Sequence, residues 1–298
     1  MNAPLSASEN ARWLRLASTA SVLVALSLIG LKAWAWIASD SVALMASLID
    51  SVMDSAASLI NLVAIRYALV PADHEHRFGH GKAEALAGLG QAAFICGSAV
   101  FLMLHAIERL LNPVPLAETG LGIAVMLVSI VLTAGLVVLQ RIAIAKTRST
   151  AIKADSLHYV GDLLVNASII VALLAATAGY TRVDPWFGIV IAFYIVWNAW
   201  EIAREAFAHL LDREVDDAVR DEILQLASTR AGVAGVHDLR TRLSGQQMFV
   251  QMHLEIGRDT PLWRAHDIAE DVESTIRARF PHCDVIVHED PSPMPAAR

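Results

Sequence analysis

The stretch 41–65, SVALMASLIDSVMDSAASLINLVAI, is apolar enough to cross a bilayer, yet it carries Asp50 and Asp54 four residues apart. A second apolar stretch, 154–176, ADSLHYVGDLLVNASIIVALLAA, repeats the arrangement with His158 and Asp162. A charged side chain at the centre of a membrane helix costs about 3 kcal/mol on insertion scales, so these groups need a partner. Positions i and i+4 share a helix face. Each helix therefore offers two ligands side by side, and two facing helices offer four around one divalent cation. Lys32 lies within the first apolar segment, and a single lysine cannot neutralise three buried carboxylates. Asn61 and Asn166, also within apolar stretches, read as interhelical hydrogen-bond partners.

Working outward, six segments meet the requirement of about 20 largely apolar residues: 14–37, 42–69, 84–110, 119–145, 153–178 and 184–208. The first is long, contains Lys32 and two tryptophans and has no small-residue cleavage site, so it reads as a span rather than a removable signal. Basic residues precede the first span (Arg12, Arg15) and recur in the second connection (Arg77, Lys82) and the fourth (Arg141, Lys146, Arg148, Lys153). The other connections are nearly free of them, Arg109 and Arg182 excepted. The positive-inside rule then places both termini in the cytoplasm of a multi-pass protein of the cell (inner) membrane.

Composition changes after the sixth span. Hydrophobic residues make up 55% of the 298-residue chain, but residues 212–298 hold 16 acidic and 10 basic side chains, which accounts for −6 of the net charge of −7. An acidic domain argues against nucleic acid and for cations as partners. Its pattern reads as a small α/β unit. A helix over 216–229 is followed by strands VHDLRTRL and MFVQMHLEI around the turn Ser244-Gly245-Gln246, then a helix after Pro261 and a closing strand DVIVHED. The order αββαβ suits a sheet with helices on one face. The expected architecture is an all-α six-helix transmembrane domain (1–211), a metal-binding α/β domain of the metallochaperone or ferredoxin-like kind (212–291), and a tail (292–298). A domain this small gains from dimerisation.

Three groups of residues could hold metal. The membrane set of Asp50, Asp54, His158 and Asp162 offers three carboxylate oxygens and one imidazole nitrogen, a tetrahedral count that suits Zn²⁺ and similar borderline ions. The connection 71–85, PADHEHRFGHGKAEA, gathers Asp73, His74, Glu75, His76 and His80, with glycines for tight turns. It contains no His-Glu-x-x-His protease spacing, and a solvated polar loop is its alternative reading. The acidic domain holds His237 before its first strand, His253 in the second, His266 in the second helix, and His288 with Glu289 and Asp290 at the end of the last strand. His105, His209 and His282 lack such company and read as structural. With only Cys96 and Cys283 present, any metal site is built from nitrogen and oxygen ligands.

These motifs together resemble the cation diffusion facilitator family, in its bacterial zinc- and iron-exporting type. The resemblance rests on SLIDSVMD, PADHEHRFGHGKAEAL, ADSLHYVGD, LLDRE, VHDLRTRLSG and VIVHEDP, and it covers nearly the whole chain. It implies a homodimer in the lipid bilayer that exports Zn²⁺, with Cd²⁺, Fe²⁺ or Mn²⁺ as further substrates, in exchange for protons. Asp50, Asp54, His158 and Asp162 would form the transport site, and Asp73, His76 and His80 would hold a second ion. His237, His253, His266, His288 and Asp290 would form a binuclear cytoplasmic site, with Asp290 bridging two ions. Lys82 and Asp212 would form a structural salt bridge.

Metal binds deprotonated ligands, so protons compete for the same atoms. His158 is the natural proton carrier, since histidine ordinarily titrates at about 6.5, with Asp54 beside it. The implied protein is a secondary active transporter and not an enzyme, because no nucleophile, general base or hydrolase motif accompanies the ligands. A membrane-anchored metal sensor is the alternative, and it would leave the four ligands in the bilayer without a purpose.

Overall fold

The structure is a computed structural model that describes residues 7–40, 42–112, 120–177 and 183–292. The expected span ends at 119 and 178, Arg182, and all of the tail beyond residue 292 lie outside the described residues. Six long helices occur where the apolar segments fall: α1 (Ala7–Ser39), α2 (Val42–Ala68), α3 (Lys82–Leu111), α4 (Gly120–Thr147), α5 (Thr150–Thr177) and α6 (Val183–Leu210). All six are long and apolar enough to cross a membrane. The ends fall within three residues of the spans read from the sequence, except that α1 starts seven residues earlier, because polar residues such as Arg12 continue the helix past the apolar stretch.

Within this helical unit α5 is central. On one side Ala151 and Ile152 pack with Leu14 and Ala17 of α1, Ile65 of α2 and Ala143 of α4. On the other, Ala154 and Leu157 pack with Ala92, Ile95 and Ala99 of α3 and with α6 residues from Ile191 to Ile202. Small residues bring α3 and α6 together, as expected where lipid gives no hydrophobic drive between helices. A Cβ on Gly188 would lie 2.9 Å from that of Ala106.

The polar residue at the heart of the bundle is Asp155, which is fully buried. Its carboxylate accepts hydrogen bonds from Ser21 of α1 (2.6 Å), Ser58 of α2 (3.2 Å) and Gln140 of α4 (2.8 Å). Tyr159, one turn on, shares a bond with Ser58 (2.8 Å) and donates to the Ser21 carbonyl (3.2 Å). Four helices thus meet on one carboxylate whose acceptor capacity is in use, the arrangement a buried polar network needs if it is to stabilise.

The C-terminal region forms a second unit together with residues 71–82. Here α7 (Asp217–Ser228), β1 (Val233–Ser244), β2 (Gln247–Gly257), α8 (Leu262–Arg279) and β3 (Cys283–Ser292) follow in order. The sheet order is β1-β2-β3, antiparallel in the hairpin and parallel across the α8 crossover. Parallel pairing of β2 and β3 requires such a crossover helix. Val250, Met252 and Leu254 of β2 face Ile223 of α7 and Ile268, Val272 and Ile276 of α8 in one core. Both helices therefore cover one face of the sheet, and the other face is open.

β1 begins at Val233, so His237 lies inside the strand rather than before it. A bulge follows it between His237 and Arg240, where Asp238 takes a left-handed conformation (φ 49°). The extra residue resets the alternation, so that Leu239 enters the core while His237 and Arg240 both stay on the open face.

The 71–82 segment docks on this domain. Phe78 meets Phe249 edge to face at 5.6 Å, and the Arg242 guanidinium lies 4.8 and 4.9 Å from the two ring centres, a cation–π arrangement. Gly81 passes so close to the hairpin turn that a Cβ there would come within 2.2 Å of the Ser244 carbonyl oxygen. Lys82 Nζ pairs with Asp212 Oδ1 at 2.9 Å and donates to the Leu210 carbonyl at 3.3 Å. Partial burial pushes the Asp212 carboxyl up, but the Lys82 bond and charge, with Arg242, outweigh it and hold the group below its usual value.

Two outcomes follow. Asp155→Ala removes the acceptor that three buried donors share and lowers the unfolding free energy of the detergent-solubilised protein by about 2 kcal/mol, with Asp155→Asn, which keeps an acceptor, costing less; thermal and denaturant unfolding check both. Asp212 has a depressed folded-state pKa, so its contribution is present above the unfolded value of about 3.9 and is lost as pH falls through the folded one. The difference in hydrogen-exchange protection of residues 76–82 between wild type and Asp212→Asn therefore stays constant from about pH 8 to 5, begins to shrink near pH 4 and vanishes only below the folded-state value.

Candidate metal centres

Helices α2 and α5 bring part of the membrane set together. His158 Nε2 lies 3.0 Å from Asp54 Oδ1 and 3.7 Å from Asp162 Oδ2. Two ligands on a tetrahedral Zn²⁺ with bonds of 2.0–2.1 Å stand about 3.4 Å apart, so these separations bracket what one ion requires. The ring is buried, flanked by Phe94 (6.0 Å) and Tyr159 (5.5 Å). Its Nε2 is buried and faces both carboxylates, with Asp54 at ion-pair distance. A buried ring nitrogen between two carboxylates fits a cation ligand.

Asp50 is not within this trio. It is exposed and lines, with Asp54 and Asp162, the wall of a cavity of roughly 480 Å³ between the helices. Asn61, expected as a hydrogen-bond partner, donates to the Ala151 carbonyl at 3.3 Å. Asn166 instead lines the cavity.

The second group forms in the docked segment. Asp73 Oδ1 accepts from the backbone N–H of His76 (2.6 Å) and Glu75 (2.9 Å), which folds the loop back on itself. That turn brings His76 Nδ1 within 3.4 Å of Asp73 Oδ1 and His80 Nε2 within 3.5 Å of Oδ2, with the two rings 4.4 Å apart. The His76 amide, then the Glu75 amide and the two rings, outweigh a small opposing effect of burial and hold the Asp73 carboxyl below its usual value. His80 is buried while Asp73 and His76 are exposed, so an ion here is reachable from solvent on one side. His74 points elsewhere, towards the Arg77 guanidinium at 3.4 Å.

The third group lies on the open face of the sheet. The register places His237, His253 and His288 in one row across the three strands, with rings 5.1 and 4.7 Å apart. Asp290, two residues beyond His288 on the same face, reaches all three: 2.8 Å to His253 Nδ1, 3.4 Å to His237 Nε2 and 3.5 Å to His288 Nε2. The His253 bond, then the neighbouring rings, outweigh burial and hold the Asp290 carboxyl below its usual value. His237, His253 and Asp290 form the tightest trio, and His237 Nδ1 is another buried nitrogen without a hydrogen bond.

Two residues expected nearby are elsewhere. His266 sits on α8, which covers the opposite face of the sheet, and its ring is exposed beside Glu270 at 3.6 Å. Glu289 pairs across from the buried Leu254, so strand alternation turns it away from His288 and Asp290. Sequence reading missed Glu255 and Asp238, whose carboxylates come within 3.5 Å of His237 and 3.8 Å of His253. Glu255 was findable, since it follows His253 by two residues on the same strand face; Asp238 depends on the bulge. Asp155 was findable too, because 155, 158 and 162 share a helix face. Cys283 offers no thiolate, since burial pushes its thiol up to about 12.

Comparison with known proteins bears on what these groups serve. Residues 18–211 match the cation efflux transmembrane domain and residues 215–292 match the cation efflux protein, cytoplasmic domain. The cation-efflux pump FieF of Shewanella oneidensis is 48% identical over 279 residues, 94% of each chain. The same-named pump of Salmonella arizonae is 46% identical over 280 residues, 94% of this chain and 93% of its own. A structure of CzrB in its zinc form is 27% identical, with a TM-score of 0.27 over 29% of this chain and 99% of that one. Two matched domains that together run almost end to end, and relatives near half identity along both, place this multi-pass membrane protein in the cation diffusion facilitator family, as a cation-efflux transporter.

Proposed function

We propose that the chain exports Zn²⁺ from the cytoplasm in exchange for protons, by alternating access, as a homodimer of the inner membrane with both termini in the cytoplasm. Cd²⁺, Fe²⁺ and Mn²⁺ are secondary substrates. In this reading residues 1–211 carry transport, 212–291 sense or store metal, and 292–298 are a tail. The observation that carries it is the buried His158 Nε2, 3.0 Å from Asp54 and 3.7 Å from Asp162 on two apolar helices.

The ion is the cargo, and the ligands are Asp54, His158 and Asp162, with Asp50 swinging in from the cavity wall as the fourth. Because each ligand accepts metal only when deprotonated, metal and proton exclude one another at the same atoms. His158 and Asp54, 3.0 Å apart, hold the proton between them once the ion leaves. Exchange then needs the cavity to open alternately to each side, with the proton-loaded site returning.

Asp73, His76 and His80 hold a second ion, and His237, His253, His288 and Asp290 hold the ions of the C-terminal domain. There Asp290, with contacts to three histidines through both oxygens, bridges. The nitrogen-rich donor set on the sheet favours Zn²⁺ over harder cations. Bound metal draws β1, β2 and β3 together at one row, which stiffens the domain and biases the transport cycle if one conformation binds more tightly. Lys82 and Asp212 form the structural salt bridge that keeps the loop site docked.

In sealed proteoliposomes an imposed proton gradient drives Zn²⁺ movement with opposite proton flux, read by a zinc dye and a pH dye together. Asp54→Ala and Asp162→Ala each abolish both signals, a fall of at least about a hundredfold. Zinc transport that survives either substitution, or that runs without proton flux, contradicts the assignment.

A further inference from the structure

Lys32 is the charged side chain lining the transport cavity that neither the metal chemistry nor an ion pair among the described residues uses. It stands on α1 and lines the same cavity as Asp50, Asp54 and Asp162. Its ammonium does not sit on a carboxylate. It donates to Ser51 Oγ at 2.6 Å and to the Ser47 carbonyl at 3.2 Å, so α2 itself holds it one step away from its two aspartates. From there it interacts electrostatically with Asp162, Asp54 and Asp50 together.

Charge counting gives this placement a meaning. Three aspartates contribute −3, and Lys32 brings the wall to −2. Arg109 also lines the cavity, but Asp184 pairs with it at 2.9 Å and cancels it. Asp155 is not part of the wall, and its oxygens are taken by Ser21, Ser58 and Gln140. One divalent cation on a neutral imidazole therefore leaves the cavity neutral. A monovalent ion leaves one uncompensated carboxylate, and a trivalent ion overshoots; both are expensive away from water.

We propose that Lys32 is a specificity-determining residue that sets the cavity to the charge of a single divalent cation while leaving all the carboxylates free to bind it. The inference rests on the reading of this cavity as the transport site. A neutral residue at 32 leaves the loaded cavity at −1, which holds the ion more tightly and releases it more slowly. Ser51 and Ser47 are the restraint that stops the ammonium from occupying the site itself.

The test is the initial rate of Zn²⁺ transport against Zn²⁺ concentration in sealed proteoliposomes. Lys32→Gln lowers KM about tenfold and lowers the maximal rate by a similar factor, the size expected for losing one nearby charge in a partly screened cavity. Lys32→Arg, which stays charged, keeps both within about threefold of wild type. A maximal rate that falls with KM unchanged in Lys32→Gln, and no better in Lys32→Arg, indicates a packing role and overturns the proposal. If Lys32→Gln does not fold, Ser51→Ala decides: the released ammonium competes with metal and raises KM several-fold, and an unchanged KM overturns the proposal. Asp54→Ala, run alongside, separates the two levels. Its loss of transport with an unaffected Lys32→Gln sinks only the lysine's role, whereas transport that survives Asp54→Ala sinks the site.

Discussion

Hydrocarbon does not forgive an unpartnered polar group, and the helical unit handles that constraint in two different ways within one turn of α5. Asp155 is surrounded by donors from α1, α2 and α4 that bond both of its oxygens. His158, three residues on, is buried with two carboxylates facing its Nε2. A satisfied network fixes helices in place, while a cluster with more carboxylates than cations is stable only when something else arrives to complete it. In the proposed reading the first group is the frame and the second the transport site, and the frame positions the site because both hang on the same face of α5 and the same stretch of α2.

The C-terminal domain reaches an equivalent result with a sheet. Helices α7 and α8 cover one face, and the alternation of β2 sends Val250, Met252 and Leu254 to that side and His253 to the other. Three strands in register then place three histidines in a row with Asp290 beside them. The loop 71–82 docks on the same domain through the Phe78, Arg242 and Phe249 stack and the Gly81 contact. Its own Asp73, His76 and His80 cluster is thereby held on a folded surface rather than on a free connection.

Much of this was legible in the residues. Apolar length located all six helices, since nothing but a membrane helix explains such runs, and strand alternation with the Ser244-Gly245 turn located β1 and β2. The i, i+4 spacing identified Asp54, His158 and Asp162, but the same spacing also nominated Asp50, which the structure leaves on the cavity wall. Spacing reports which face a residue shares; how deep it sits depends on the crossing of the helices. His266 shows the matching limit in the α/β domain. Counting histidines grouped it with the others, whereas the fold puts its helix on the far side of the sheet. The bulge after His237, the Phe78 stack and the Lys32 anchor on Ser51 are tertiary facts with no local signature. The composition break at residue 212 falls between the last apolar helix, which ends at Leu210, and the polar α/β elements that begin at Asp217.

The central claim is that one imidazole and carboxylates within the membrane helices coordinate the transported ion. The most direct measurement is zinc K-edge X-ray absorption on the full-length protein in which Asp73, His76, His237, His253 and Asp290 have been replaced by alanine, loaded with one equivalent of Zn²⁺. The account predicts a four-coordinate shell of nitrogen and oxygen at about 2.0 Å with the scattering of a single imidazole, lost on replacing His158. A shell containing sulfur, two or more imidazoles, or six oxygens typical of a solvated ion would contradict it.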